Sequence, residues 1–338
     1  MNHTEYMKLA IKLAESAWGM TSPNPLVGAV IVTDGQIVGR GYHHRAGEPH
    51  AEVNALRDAG TSAAGADIYV TLEPCSTHGR TPPCTEAIIQ SGIKRVFIGS
   101  TDPNPAHAGK GAQILKKAGI EVFCGIEKEL CDRLNEAFFK WITLKKPFVI
   151  LKMAMTLDGK IATADGESKW ITGPEARARV QQLRKWADAI MVGGETVRRD
   201  CPSLTVRDEP EWLRQPERII ASRTFSPEEL QEYFPEGNKP QIISASSPAE
   251  WNNILLQLGE KQITALLIEG GGELAAEVLR AGIVDQIEFH IAPKILGGRD
   301  SRTVVGGKSP MSLAETLQLS RVKVETAGPD IIISGYLK

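Results

Sequence analysis

Apolar and polar positions along the chain follow two periods, and their alternation outlines the fold. Tyr6, Leu9, Leu13 and Ala17 recur three or four apart within residues 5–18, the spacing of a helix that buries one face. Ser22-Pro23-Asn24-Pro25 breaks that pattern. Val27 to Val38 predicts a β-hairpin, with Asp34-Gly35 as the turn between two apolar runs. A helix is predicted from near His50 to Gly60, and a strand over Ile68–Leu72. Further helices are predicted from Pro83 to Gly92, Gly111 to Ala118 and Glu127 to Leu144. Strands at Arg95–Gly99 and Ile120–Cys124 lie between them. Such alternation implies a sheet with helices on its faces. It also puts His50 and Cys84 at or near helix N-termini, where partial positive charge favours a thiolate.

Lys145-Lys146-Pro147 marks a boundary, so two domains are expected, 1–145 and 146–338. Beyond it strands become more frequent. They are predicted at Phe148–Met155, Ala189–Val192, Arg218–Ala221, Gln241–Ala245, Ile263–Ile268, Val284–Ile291 and Asp330–Tyr336. Helices are predicted at Pro174–Ala187 and Glu273–Ala281, and Ser222 to Lys239 is expected as an exposed excursion. The run Glu269-Gly270-Gly271-Gly272 sits between a strand and a helix. Glycines there permit close backbone approach, and the helix start offers N–H groups to a phosphate. Alone the run is a weak signal, since most strand–glycine–helix turns are only tight turns.

Composition narrows the classes. The 338 residues are 42 % hydrophobic and 24 % charged, ordinary for a globular protein. Lys+Arg number 39 and Asp+Glu 41, so no global attraction to nucleic acid or anionic membrane is expected. The first residues include His3, Glu5 and Lys8 and form no long apolar run, which predicts neither signal peptide nor membrane span. Five cysteines do not form a disulfide framework in a chain of this size, so a cytoplasmic protein with reduced thiols is expected. Cys124 and Cys131 are expected in the core and Cys201 as structural.

His50-Ala51-Glu52, Pro74-Cys75 and Cys84 offer one imidazole, two thiols and one spare carboxylate. Zn²⁺ favours N/S ligands, and a catalytic site keeps three of them with a fourth position open. In this order the residues match the signature of zinc nucleobase deaminases, in which the glutamate is acid/base and no ligand. Here the second cysteine follows nine positions after the first, a longer loop than the tightest form of the signature. The alternatives are a closed structural zinc site with a fourth ligand such as His78, or two ordinary buried thiols. A deaminase of RNA bases predicts a basic surface, which the charge balance does not supply.

Several motifs together resemble the bacterial bifunctional riboflavin-biosynthesis enzymes, the RibD family. They are Gly47-Glu48-Pro49-His50-Ala51-Glu52, Thr71-Leu72-Glu73-Pro74-Cys75-Ser76, Gly79-Arg80-Thr81-Pro82-Pro83-Cys84 and Asp102-Pro103-Asn104-Pro105. In the second half they are Lys152 to Gly159, Ser168 to Thr172, Asp200 to Arg207 and Pro293 to Gly298. The family usually has His where this chain has Thr77. The resemblance implies an α/β protein: a cytidine-deaminase-like α/β/α domain, then a dihydrofolate-reductase-like α/β domain. The first would deaminate 2,5-diamino-6-ribosylamino-4(3H)-pyrimidinone 5′-phosphate with Zn²⁺. The second would reduce the ribosyl group of the product with NADPH.

By this resemblance His50, Cys75 and Cys84 hold zinc and Glu52 moves protons. Asn24, His43, Arg80, Asp102 and Asn104 line the deaminase pocket. Ala154, Trp170, Thr196, Asp200, Ser222, Gly271 and Gly272 face the nicotinamide cofactor. Lys152, Ser168, Arg184, Leu204, Arg207 and Glu269 face the reductase substrate. Expected partners are small-molecule pyrimidine ribose phosphates and further copies of the chain in a homo-oligomer, with no nucleic acid and no membrane.

Overall fold

The apolar stretches fold into two units, Met1–Lys145 and Lys146–Lys338. The computed structural model describes residues 1–77, 82–104, 108–209, 211–235, 237 and 239–338. No helix among them is long and apolar enough to cross a membrane.

In the first unit, α1 (His3–Glu15) opens on a capping box, in which Asn2 and Glu5 satisfy each other's backbone N–H. The hairpin β1 (Gly28–Thr33) and β2 (Gln36–Tyr42) leads to α2 (Ala51–Ala59) and β3 (Asp67–Leu72). There follow α3 (Cys84–Gln90), β4 (Arg95–Ser100), α4 (Lys110–Lys117) and β5 (Glu121–Cys124), then α5 (Lys128–Leu134) and α6 (Glu136–Leu144). The strand order is β2-β1-β3-β4-β5, with β1 antiparallel to both neighbours and β3, β4 and β5 parallel. Strand alternation gives the sheet two apolar faces. Ala29, Ile31, Ile68, Val70, Val96 and Ile98 pack with α2, α3 and α4. Val30, Val32, Tyr69 and Phe97 pack with Tyr6, Met7, Ala10 and Ile11 of α1.

Helix α2 lies directly on β2. A Cβ at Gly39 would stand 2.4 Å from the Ala55 carbonyl oxygen, and one at Gly41 2.3 Å from the Ala55 nitrogen. No other residue type fits those two positions without moving the helix.

In the second unit, β6 (Phe148–Thr156), β7 (Lys160–Ala162), α7 (Pro174–Trp186), β8 (Ala189–Gly193), α8 (Gly194–Asp200) and β9 (Glu217–Ala221) come first. Then follow α9 (Pro227–Tyr233), β10 (Gln241–Ile243), α10 (Pro248–Glu260), β11 (Ala265–Ile268) and α11 (Gly272–Arg280). The chain closes with β12 (Gln286–Ala292), β13 (Arg302–Thr303), β14 (Leu319–Ala327) and β15 (Asp330–Leu337). The main sheet runs β10-β9-β8-β11-β6-β12-β15-β14. It is parallel from β10 to β12, and β15 and β14 are antiparallel. Val149, Leu151, Met191, Leu266 and Ile268 pack with Trp251, Leu255 and Leu258 of α10 and Leu274, Ala275 and Val278 of α11.

Four expectations change. The helix over Glu127–Leu144 is two helices, because Asn135 leaves helical geometry to bond Leu26 through both its amide atoms. Ser222 to Lys239 contains α9, started by a Ser226–Glu229 capping box with Pro227 in the first turn. The late strands Gln286–Ala292 and Asp330–Leu337 are joined by β14, which pairs with the last strand. Cys124 is exposed, since its strand forms the edge of the sheet; Cys131 is buried as expected, and Cys201 is exposed.

Buried charge marks one face of the second sheet. Glu288 on β12 is 3 % exposed, accepts from Arg179 Nη2 at 2.9 Å and Nε at 3.1 Å, and accepts from His290 Nε2 at 2.9 Å. Burial would raise its carboxyl, but the His290 and Arg179 hydrogen bonds outweigh it and hold it at about 2.

Two predictions follow from this packing. Gly41→Ala should destabilise the first unit by about 1–3 kcal/mol, read as a lower denaturation midpoint; an unchanged midpoint would show that α2 has room to move. For Glu288 the folded carboxyl lies below its ordinary 4.5. Its contribution is therefore complete above about pH 4.5 and is lost as pH falls towards 2, about 3 kcal/mol in all. The stability gap between wild type and Glu288→Gln should close across that window in acid titrations of unfolding.

Candidate active sites

In the first unit three chain segments bring their ligand atoms together. His50 is the N-cap of α2, with its side chain making no capping bond. Cys75 follows β3, and Cys84 is the first residue of α3. His50 Nδ1 lies 3.5 Å from Cys75 Sγ and 3.3 Å from Cys84 Sγ. The Cys84 backbone N–H donates to Cys75 Sγ at 3.2 Å. All three ligand atoms lie within 4.8 Å of one another. One nitrogen and two sulfurs at this spacing fit a single zinc ion. The possible fourth ligand His78 lies outside the described residues.

A hydrogen bond between the two thiols moves them in opposite directions. The Cys84 side-chain hydrogen bond is the largest influence holding the Cys75 thiol far below its ordinary range, and the same bond raises Cys84. His50 is raised, chiefly by its hydrogen bond with Cys75. Glu52 stands in the first turn of α2, 3 % exposed. Burial pushes its carboxyl up to about 7, with Cys75 adding to the shift and His50 and Cys84 opposing it.

The residues expected around this cluster gather on neighbouring loops. His43 is buried, and burial lowers its imidazole. Its ring meets His50 edge-on at 5.3 Å between centroids, and its Nε2 lies 3.1 Å from Asn24 Nδ2. Asp102 accepts the Asn104 N–H at 2.8 Å. Arg80 lies outside the described residues. Sequence reasoning missed Glu73 as a builder of this site. This buried residue precedes Pro74-Cys75 and accepts backbone N–H groups from Asp102, Gly109 and Ala112 at 3.2, 3.0 and 3.1 Å. The only local signal was a carboxylate at the end of an apolar strand.

In the second unit a cavity of about 840 Å³ opens at the C-terminal ends of β6, β8 and β11. Lys152, Ala154, Ser168, Trp170, Arg184, Thr196, Asp200, Leu204, Arg207, Glu269, Gly271 and Gly272 all line it. Ser222 is the exception: it follows β9, where its Oγ accepts from Thr224 and Phe225 N–H at 3.2 and 3.1 Å. Arg199, Arg299 and Arg302 also line the cavity, cations that no local pattern distinguishes from surface charges.

Arg184 and Glu269 form a buried two-pronged pair, Nε–Oε1 2.6 Å and Nη2–Oε2 2.9 Å. Burial would raise Glu269, but Arg184, followed by Lys152 and Arg207, carries it below its ordinary value. Lys152 is lowered by burial, which Glu269 only partly offsets. Arg184 also donates to the Thr205 carbonyl at 2.9 Å and so ties down the loop that carries Leu204 and Arg207. Ser168 Oγ donates to Asp200 Oδ1 at 2.7 Å. Lys294 donates to the carbonyls of Trp170 and Ile171 at 3.0 and 2.6 Å, and Arg177 stacks on the exposed Trp170 indole at 4.7 Å. Gly271 takes φ +83° as N-cap of α11, and a Cβ at Gly272 would meet the Thr303 carbonyl at 2.5 Å. The turn thus presents bare backbone to the cavity, and α11 starts without a side-chain cap.

Comparison with known proteins identifies both domains. Residues 1–100 match the cytidine and deoxycytidylate deaminase zinc-binding region, and residues 147–333 the RibD C-terminal domain. The riboflavin biosynthesis protein RibD of Aquifex aeolicus is 45 % identical, covering 97 % of this chain and 96 % of its own. That of Escherichia coli is 41 % identical, covering 98 % and 99 %. The structure of Acinetobacter baumannii RibD superposes with a TM-score of 0.89 at 38 % identity, covering 99 % of each chain. A Thermotoga maritima diaminohydroxyphosphoribosylaminopyrimidine deaminase/5-amino-6-(5-phosphoribosylamino)uracil reductase gives 0.86 at 37 %, again covering 99 % of each. The first unit has the cytidine-deaminase-like fold and the second the dihydrofolate-reductase-like fold of the RibD reductase. A zinc-type ligand triad on the first fold and a glycine-edged, charge-lined cavity on the second, matched over nearly the full chain, place this protein in the RibD family.

Proposed function

We propose that the chain catalyses two consecutive steps of riboflavin biosynthesis. The first unit deaminates 2,5-diamino-6-ribosylamino-4(3H)-pyrimidinone 5′-phosphate by hydrolysis. The second reduces 5-amino-6-(5-phosphoribosylamino)uracil to the ribitylamino product with NADPH. The observation that carries the reading is the His50–Cys75–Cys84 cluster with a buried Glu52 beside it.

Zinc held by His50, Cys75 and Cys84 would supply Lewis acidity that brings ionisation of water close to neutral pH. The chain's own part is proton transfer and orientation. Glu52 takes a proton from the attacking water and returns it to the departing amino group as ammonia leaves. Asn24, Asp102 and Asn104 hold the pyrimidine and its sugar phosphate, and Arg80 meets the phosphate as a charged donor. None of this places Glu52 among the ligands.

NADPH bound in the second unit would supply hydride chemistry for C1′ of the ribose in its open, imine form. Ala154, Trp170, Thr196, Asp200 and the Gly271–Gly272 turn hold the cofactor, and Ser222 extends that surface beyond the cavity. Lys152, Ser168, Arg184, Leu204, Arg207 and Glu269 orient the sugar phosphate and pyrimidine. The Arg184–Glu269 pair supports this role, because a buried ion pair with both partners engaged gives the substrate a fixed charged wall.

Two experiments test the assignment. Glu52→Gln should lower ammonia release by about 10²–10⁴-fold while zinc content holds, and NADPH oxidation on supplied deaminated intermediate should match wild type. Loss of both activities would break the separation of the sites. Stripping zinc with a chelator should abolish ammonia release, with recovery on adding back zinc, and leave NADPH oxidation intact. Full deamination by metal-free protein would overturn the zinc assignment.

A further inference from the structure

The two ring nitrogens of His43 meet partners of different character. Nδ1 lies 3.2 Å from the Pro49 carbonyl oxygen. A carbonyl only accepts, so Nδ1 carries the proton. In the neutral ring Nε2 then holds the lone pair, and it faces Asn24 Nδ2 at 3.1 Å. Nε2 accepts from the amide nitrogen, so the nitrogen end of Asn24 is turned to His43. The two ends of a primary amide are nearly equal in shape, and their hydrogen-bond partners decide which way the group points.

Each step of this chain is held in place. Asn54 Nδ2, on α2, donates to the Pro49 carbonyl at 3.3 Å and to the Tyr42 carbonyl at 2.8 Å. The Asn24 backbone N–H donates to the Thr21 carbonyl at 2.8 Å. His43 is 2 % exposed, whereas Asn24 is half-buried. Asn24 Oδ1 has no partner among the described residues.

We propose that His43 is a positioning residue that acts through Asn24. The Pro49 carbonyl sets the His43 tautomer. The tautomer sets the orientation of the Asn24 amide, and the amide presents an acceptor, Oδ1, to an N–H on the edge of the aminopyrimidine. A reversed amide would offer a donor there, and two donors would meet with neither satisfied. The proposal deepens, and rests on, the deaminase reading of this site.

The test uses full-length His43→Phe, His43→Gln, Asn24→Ala and the double variant. Phe keeps the ring's bulk and accepts nothing, whereas Gln keeps an acceptor. His43→Phe should raise the deaminase KM about tenfold or more with kcat much less affected, and His43→Gln should recover most of the loss. On an Asn24→Ala background, adding His43→Phe should change KM by less than about twofold, because the group it positions is gone. Zinc content and NADPH oxidation on supplied intermediate report that the chain is folded. Independently of turnover, the imidazole ¹⁵N spectrum, with His43 assigned by its loss in His43→Gln, should show a neutral ring protonated at Nδ1. A His43→Phe penalty undiminished on the Asn24→Ala background overturns the proposal, and so does a ring protonated at Nε2. Should His43→Phe lose zinc, the spectrum decides. If wild type releases no ammonia from the aminopyrimidine, the deaminase reading fails, and the spectrum still decides whether the relay exists.

Discussion

Helix α2 lies directly against the backbone of β2 at Gly39 and Gly41, and the first site depends on that seat. Gly39 and Gly41 lie two apart on β2, so both face the helix; Gly41 leaves room only for the Ala51–Ala55 stretch above it, and Gly39 for Ala55 and Ala59 one turn on. The first turn of α2 is therefore fixed against the sheet edge with little freedom to slide. His50 caps that turn and Glu52 lies within it. One rigid element thus carries both His50 and Glu52, the proposed nitrogen ligand and proton carrier, and their mutual geometry does not depend on a loop. The sulfurs arrive from the end of β3 and the start of α3, and the Cys84 N–H on Cys75 Sγ ties one to the other. Thiol groups this close share hydrogen bonds among themselves, and a divalent cation would replace those protons with one charge.

The second unit builds its site by a different route. Parallel strands deliver side chains to a crevice at their C-terminal ends, and here those side chains are charged. Lys152 on β6 lies opposite Glu288 on β12, and Ala154 opposite His290. Glu288 is closed off by Arg179 and His290, whereas Lys152 and the Arg184–Glu269 pair reach the cavity. Removing one partner of such a set leaves the other buried and uncompensated, at a cost of about 3–5 kcal/mol. Arg184 also holds the Thr205 carbonyl, so one guanidinium sets both the carboxylate and the loop beside it.

What could be read from the chain divides along the same physical line. The hairpin, the helices flanking the metal ligands and the parallel strands each carry a local period, and they form where that period predicts. The proposed metal ligands were singled out because few residue types bind zinc and their order is short-range, and the fold brings their ligand atoms together. The break at Asn135 was not, because its cause is a pair of hydrogen bonds to Leu26, distant in sequence. Helix α10 and strand β14 were also missed. The apolar positions of the first face one side of a sheet formed from other segments, and the second is an exposed edge whose pattern is mixed. Most substrate-facing positions were named only through resemblance. Nothing in the spacing of Arg184 or Glu269 shows that they meet.

Two glutamates show where sequence reasoning reaches its limit. Glu52 and Glu73 are both buried, and both stand close in sequence to a metal ligand. By residue type and neighbourhood either could be the proton carrier. Their hydrogen bonds separate them. Glu73 accepts three backbone N–H groups through its two oxygens and thereby fastens the segment carrying Asp102 and Asn104 to the strand end that carries Cys75. A carboxylate engaged in that way is a structural tie, because its lone pairs are already committed to backbone donors. Glu52 faces His50 and the two thiols instead, the position that the proposed proton transfer requires. The distinction between a carboxylate that holds the site together and one that does its chemistry thus lies in where the backbone donors point, which only the folded chain decides.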